Sequence, residues 1–274
     1  MISLVICSKI GRLSSELRKN IEESIDVEYE IVLIDNSKGI YSIFSAYTEG
    51  VKRSSFPIVC FMHEDILYKT KGWGNSVLKC FEDKTIGLCG VIGSSLMLDI
   101  ASCWWSTDYA VGRIWQRRGT ESYVTAFKER ELENLGKIDV VTVDGVWFCV
   151  RKSLFPDIGF NESFYGKWHG YDLDVCMQVL QAGYRCVVLS DVKIEHFSTG
   201  VLGKEWIDAL CFFQNKWKSH LPIYSGIELS EDEIVGCKVR MITSNSKIQE
   251  LNGYLDYYKG NFFTKILRRF RLIK

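Results

Sequence analysis

The feature that most constrains this sequence is Ile58-Val-Cys-Phe-Met62, five apolar residues that pass directly into His63-Glu64-Asp65. An uninterrupted apolar run of that length reads as a strand buried on both faces, as in parallel sheets covered by helices. Similar runs occur at residues 2–7, 30–34 and 86–92. Between them lie helix-forming segments at 14–24, 41–54 and 73–82, the first with Ser14 or Ser15 as its N-cap. Strand and helix alternating in this way predict an α/β fold with a mainly parallel sheet flanked by helices. Ligands of such sheets bind at the carboxyl ends of the strands. Two adjacent carboxylates there can hold a divalent cation, and the cation a phosphate.

The alternation breaks after residue 93. Residues 94–137 read as a long excursion over the ligand face, or a partly mobile loop. Strand character returns at 140–143 and 146–150, around Asp144-Gly145, and a turn is expected at 160–164. Gly170-Tyr-Asp-Leu-Asp174 opens a helix that runs to Ala182, with Gly183 as its C-cap. Strands at 184–189 and 192–194 lead to His196. Residues 206–217 form an amphipathic pattern within a C-terminal helical extension (206–260). In 261–274, Phe262, Phe263, Ile266, Leu267, Phe270 and Ile273 fall on one helical face and Lys265, Arg268, Arg269 and Arg271 on the other.

Bulk composition narrows the function. The 274 residues suit one large α/β domain or two small ones, and a 47% hydrophobic share is ample for a core. Lys+Arg 34 balances Asp+Glu 34, which argues against nucleic-acid binding through bulk charge. The ten cysteines sit mostly inside apolar runs and form no CxxC pair, so they read as small hydrophobes in a reducing, cytoplasmic setting. Residues 2–7 are too short for a signal peptide. The window 86–105 carries one charge, Asp99, but its glycines and alternation indicate strand and loop rather than a membrane helix.

Acids and histidines therefore stand at strand ends and helix starts: Asp35, His63-Glu64-Asp65, Asp172 and Asp174, and His196. Carboxyl ends of parallel strands share one edge, which would let Asp35, Asp65 and His196 converge. A carboxylate with imidazole suits Mn²⁺ as well as Mg²⁺. A helix N-terminus stabilises Asp172 as an anion; in a dry site it can serve as a base. Each position has a plainer reading. Asp35-Asn-Ser-Lys-Gly39 is a turn signature, Asp172 suits an N-cap, His196 suits a structural role, and Trp104-Trp105 suits the core.

Together these segments resemble the nucleotide-sugar glycosyltransferases of the GT-A (Rossmann-like) fold, on the family 2 pattern. The resemblance runs from residue 2 to about 200, through Asp35-Asn36-Ser37, His63-Glu64-Asp65, Gly170-Tyr-Asp-Leu-Asp174 and His196. Residues 86–94 and the Trp pair resemble a bacterial subgroup of glycosyltransferase-like domains. The resemblance implies a catalytic domain over 1–205. It implies donor contacts from Ser8, Asp35, Asn36, Ser37, Glu64 and Asp65, and a Mn²⁺ or Mg²⁺ site at Asp65 and His196, with His63. Asp172 aligns with the catalytic base. Two departures stand out: His63 replaces the first acid of the D-x-D pattern, and Tyr171 replaces the usual Glu. Trp104, Trp105, Trp147 and Trp168, with His169 and Asp174, are the candidate acceptor contacts.

The implied reaction is inverting transfer of a sugar from a UDP-, GDP- or dTDP-sugar to a glycan or lipid-linked hydroxyl, in cell-surface polysaccharide or glycan synthesis. The basic tail 261–274 suits a peripheral contact with anionic lipid on the inner membrane face, or packing on its own domain. Two alternatives stay open. A nucleotidyltransferase would carry a glycine-rich loop after the first strand, where Cys7-Ser-Lys-Ile-Gly-Arg12 has one glycine. A non-catalytic nucleotide- or carbohydrate-binding module of the same fold is permitted by His63 and Tyr171.

Overall fold

The computed structural model of the chain describes residues 1–161, 166–198 and 203–243. At its centre is a seven-stranded sheet. In spatial order its strands are Lys137–Val140, Arg185–Leu189, Ile86–Gly90, Trp147–Arg151, Ile58–Met62, Ile2–Ser8 and Tyr29–Asp35. Five run in one direction, while Trp147–Arg151 and Lys137–Val140 run against them. The mainly parallel sheet is present, with one antiparallel strand set into its middle.

Side chains alternate across a strand, and the core divides accordingly. Val5, Val59, Phe61 and Phe148 pack with the helices Ile43–Arg53 and Tyr171–Gln181. Leu4, Ile6, Cys60 and Trp147 face the helices Ser15–Ser24 and Trp73–Cys80. The first helix starts where expected, with Ser14 Oγ accepting from the Leu17 N–H at 3.1 Å. All ten cysteines are free thiols and eight are buried, as apolar fillers would be. Trp147 is corrected here. It is 0% exposed, and its indole N–H donates to Tyr68 Oη at 2.8 Å, so it cannot meet an acceptor.

The excursion at 94–137 is not a loop. It contains a hairpin, Ala110–Arg118 with Glu121–Phe127, followed by the helix Glu129–Leu135. The hairpin joins a second sheet with Thr142–Val143, Ile92–Ser94, Ile194–His196 and Ile66–Tyr68. Its outer strand is largely solvent-exposed and its inner strand carries Arg113, Gln116 and Arg117, so no apolar run announces it. The run at 86–92 is split between the two sheets.

The helix Lys204–Lys216 places Ala209, Leu210 and Phe213 in the first core, and Glu231–Thr243 packs on Leu96, Leu98 and Ile100. Asp174 fastens the first of these. It is 2% exposed, accepts from Lys216 Nζ at 2.6 Å and Trp217 Nε1 at 2.8 Å, and is bonded by Gln178 within its own helix. The expected acceptor role of Asp174 is therefore replaced by an anchoring one. Asp174→Ala removes the buried acceptor shared by the partly exposed Lys216 ammonium and the buried Trp217 indole N–H, and is expected to cost roughly 1–3 kcal/mol, a cost read by urea unfolding. A midpoint equal to wild type would contradict the anchor. Residues 244–260 of the extension and the tail 261–274 lie outside the described residues, as does part of the 160–164 turn. Among the described residues, no helix is long and apolar enough to cross a membrane.

Candidate active site

The site begins where the Ile58–Met62 strand ends. The His63 N–H donates to the Val146 carbonyl at 3.0 Å, extending the pairing one residue past the strand. His196 arrives by another route than the shared sheet edge. It belongs to the second sheet, where Ile194–His196 runs antiparallel to Ile66–Tyr68 and His196 pairs with Ile66. The Phe197 N–H donates to the Asp65 carbonyl at 2.9 Å. Register alone thus sets His196 beside Asp65.

Three side chains converge there. His63 Nδ1 lies 3.3 Å from His196 Nε2. Asp65 Oδ1 lies 3.7 Å from the former and 3.4 Å from the latter. One ligand atom from each residue falls within 4.8 Å of the other two, the arrangement of a cation site. Burial opposes ionisation of Asp65, yet the His196 hydrogen bond and the charges of both histidines hold its carboxyl well below the usual range. Burial, and then the neighbouring His196, lower the pKa of His63 and favour the neutral imidazole that a metal requires. The donor set, two imidazoles and a carboxylate, fits a divalent cation.

The second focus is the start of the helix Tyr171–Gln181, whose N-cap is Gly170 at φ 79° rather than Asp172. Asp172 turns back on the chain and accepts from the Gly145 N–H at 2.9 Å and the Leu173 N–H at 2.9 Å. The helix dipole does not dominate here. Burial, and then the nearby Asp144 carboxylate, raise the Asp172 pKa to about 7 against those two donors. Tyr171 takes the carbonyl of the same residue, donating from its hydroxyl to Gly145 O at 3.1 Å. Only glycine fits at 145, because a Cβ there would lie 2.2 Å from Tyr171 Oη.

A cleft of about 1040 Å³ lies over the cation cluster, with His63, Glu64, Asp65, Trp168, His169 and Trp206 in its wall; Tyr171 lines it too, while Asp172, the next residue, does not. Trp168 and His169, expected on the acceptor side, do line it. Trp105 stacks on Trp206 with ring centroids 5.7 Å apart. Trp104 is buried, and its indole N–H donates to Asp144 at 2.8 Å, so it braces the site from behind instead of meeting a sugar.

The donor candidates divide similarly. Glu64 is fixed by Ser8 Oγ at 2.6 Å and the Lys9 N–H at 2.9 Å. Ser8 is itself fully buried, so it orients Glu64 and does not face the cleft. Asn36 is buried too, and its amide closes the loop through both the N–H and the carbonyl of Tyr41. Its expected ligand contact is corrected to loop closure. Asp35 and Ser37 are exposed beyond the cleft wall, with the Ser37 N–H donating to Asp35 at 2.9 Å. The structure adds Asp144, Lys9 and Arg117. Arg117 lines the cleft and pairs with Glu195 at 2.8 Å. Asp144-Gly145 between two β-branched runs looks like an ordinary hairpin turn, which conceals its part in the site.

Among solved structures, the mannosyltransferase PcManGT from Pyrobaculum calidifontis, in complex with GDP-Man and Mn²⁺, superposes with a TM-score of 0.52 at 13% identity. The match covers 99% of this chain and 79% of that one, and is a likeness of fold, the GT-A arrangement. GalNAc-T7 with UDP, GalNAc and Mn²⁺ gives 0.49 at 12% identity over 75% of this chain and 44% of that one. The streptomycin biosynthesis protein StrF of Streptomyces griseus is 25% identical over 175 residues, 62% of this chain. The chain spans 58% of the length of StrF. A glycosyltransferase-like family matches residues 3–214, more than three quarters of the sequence. On that match the chain belongs to the glycosyltransferase-like family.

Proposed function

We propose that the protein is an inverting, cation-dependent glycosyltransferase that moves a sugar from a nucleoside-diphosphate sugar to an acceptor hydroxyl. One observation carries the reading. A carboxylate with its pKa raised to about 7 is bonded to the N–H of Gly145, and the carbonyl of the same residue is bonded to Tyr171, whose hydroxyl also touches a three-ligand cation cluster. A base poised near neutrality beside a cation site is the pairing that sugar transfer from a diphosphate needs.

His63, Asp65 and His196 would hold the cation. When bound, Mn²⁺ or Mg²⁺ supplies positive charge for the departing diphosphate. The protein's own groups do the rest. Asp172 accepts the acceptor's hydroxyl proton, and its two backbone donors keep the carboxylate aimed while that proton moves. Attack on the face opposite the leaving group inverts the anomeric carbon. Glu64, held by Ser8 and Lys9, contacts the donor's ribose, and Asp35 and Ser37 border its base. Trp168, His169 and Trp206, braced by Trp105, receive the acceptor sugar. In this reading residues 1–205 are the catalytic unit, and the described part of the extension, 206–243, packs on it. The complex of PcManGT with GDP-Man and Mn²⁺ supports a nucleotide-sugar donor. A glycan or lipid-linked acceptor, and contact of 261–274 with anionic lipid, complete the proposal.

The test is release of nucleoside diphosphate from UDP-, GDP- and dTDP-sugars with Mn²⁺ and a panel of glycan acceptors. Acceptor-stimulated release from one donor class is expected. Donor binding without release under every combination would favour a non-catalytic module.

A further inference from the structure

The two departures from the family pattern, His63 and Tyr171, touch each other. They are 108 residues apart in sequence, and Tyr171 Oη lies 3.2 Å from His63 Nε2. The same hydroxyl lies 3.1 Å from the Gly145 carbonyl. A carbonyl only accepts, so the hydroxyl proton goes to Gly145. The hydroxyl then meets His63 with a lone pair, and the imidazole must supply the proton from Nε2. A neutral imidazole protonated on Nε2 keeps its own lone pair on Nδ1. Nδ1 is the atom 3.3 Å from His196 Nε2 and 3.7 Å from Asp65 Oδ1.

Tyr171 is well placed to enforce this choice. It is 6% exposed, and its ring stands edge-on to Phe44 and Tyr47, at centroid distances of 6.2 and 5.5 Å. Its hydroxyl occupies the space that the missing Gly145 side chain leaves open. The donor set that results is two imidazole nitrogens and one carboxylate. Imidazole suits first-row transition ions, whereas Mg²⁺ prefers oxygen ligands and sheds water reluctantly.

Building on the reading of this cluster as the donor's cation site, we propose that Tyr171 is a positioning residue. It locks His63 in the Nε2–H tautomer, making His63 the third ligand of a transition-metal site that discriminates against Mg²⁺. The change at 63 from an acid to His thus exchanges one oxygen ligand for a nitrogen, and Tyr171 fixes which nitrogen faces the cluster.

The chain has four histidines, few enough to resolve singly by long-range ¹H–¹⁵N correlation in tag-free, metal-free protein. His63→Asp assigns the His63 signals by their disappearance. Wild type is expected to show His63 as the Nε2–H tautomer, and Tyr171→Phe a mixture. Co²⁺ binding, followed by its visible absorption, is expected to be at least ~100-fold tighter than Mg²⁺ binding measured by competition. Tyr171→Phe should weaken Co²⁺ binding about 10–100-fold, as loss of a hydrogen bond to a metal-bound histidine does, while the melting temperature in EDTA shows that the fold persists. His63→Asp/Tyr171→Glu should narrow the Co²⁺-to-Mg²⁺ ratio at least ~10-fold.

A His63 protonated on Nδ1 in wild type, equal Co²⁺ and Mg²⁺ affinities, or a folded Tyr171→Phe with unchanged Co²⁺ affinity would each overturn the proposal. If Tyr171→Phe does not fold, the wild-type tautomer and metal ratio decide. None of these readouts uses a nucleotide sugar, so an absence of sugar transfer would count against the transferase reading and leave this one standing.

Discussion

Asp172→Asn is expected to reduce sugar transfer by about 10²–10⁴-fold while leaving donor binding intact, because the amide cannot take the acceptor's proton. In wild type, kcat/KM should rise with pH through a single ionisation near 7 and then level off. That value follows from burial and the neighbouring Asp144, which raise the Asp172 pKa to about 7. The same shift carries a stability signature that no catalytic assay is needed to see. Folded protein keeps a proton on Asp172 that the unfolded chain releases near its ordinary value of 3.8. Stability from this group is therefore present in full below pH 4 and is lost as pH rises through 7, a total of about 4 kcal/mol. Asp172→Asn lacks the titration. Thermal melts in EDTA at pH 4, 5.5, 7 and 8 should show the variant gaining on wild type up to about pH 7 and holding level above. Parallel curves would remove the basis for a poised base.

Asp65→Ala is expected to lower Mn²⁺ affinity by more than ~100-fold, since it removes the only anionic ligand of the cluster. What remains is a pair of imidazoles 3.3 Å apart with no charge to offset that of the cation. Calorimetry with UDP or GDP should show the donor nucleotide losing affinity in Mn²⁺ and keeping its wild-type affinity in EDTA. Equal Mn²⁺ binding by variant and wild type would move the cation site elsewhere. A loss of nucleotide affinity in EDTA as well would mean that Asp65 contacts the nucleotide directly.

The parts of this protein that could be read in advance are those whose signal is local. Ile58–Met62 and Ile2–Ser8 are buried on both faces, and an apolar run is sufficient evidence for such strands. The helix Tyr171–Gln181 is bounded by Gly170 and Gly183, both at positive φ, and its limits were visible in those two residues. The hairpin 110–127 was missed for the converse reason. Its outer strand is stabilised by pairing and faces solvent, so it needs no apolar pattern. Trp147 and Asp174 show where residue type misleads. A tryptophan near a site reads as a sugar platform and an acid as a ligand, yet one is core and the other holds a helix in place.

The sequence by itself determined the α/β architecture, the strand end from which His63, Glu64 and Asp65 project, and the short list of acids and histidines from which a site could be built. Tertiary structure decided which of them meet. His196 reaches Asp65 through the pairing of His196 with Ile66 in a second sheet, and Tyr171 reaches His63 across 108 residues. It also reversed the expectation for Asp172, whose place at a helix start favours the anion while burial beside Asp144 favours the proton. The physical reason is range. Burial patterns and turn chemistry act between neighbours in the chain and leave a periodic record. The hydrogen bonds and charges that tune a site act between strangers in sequence, and become legible once the sheet has set them side by side.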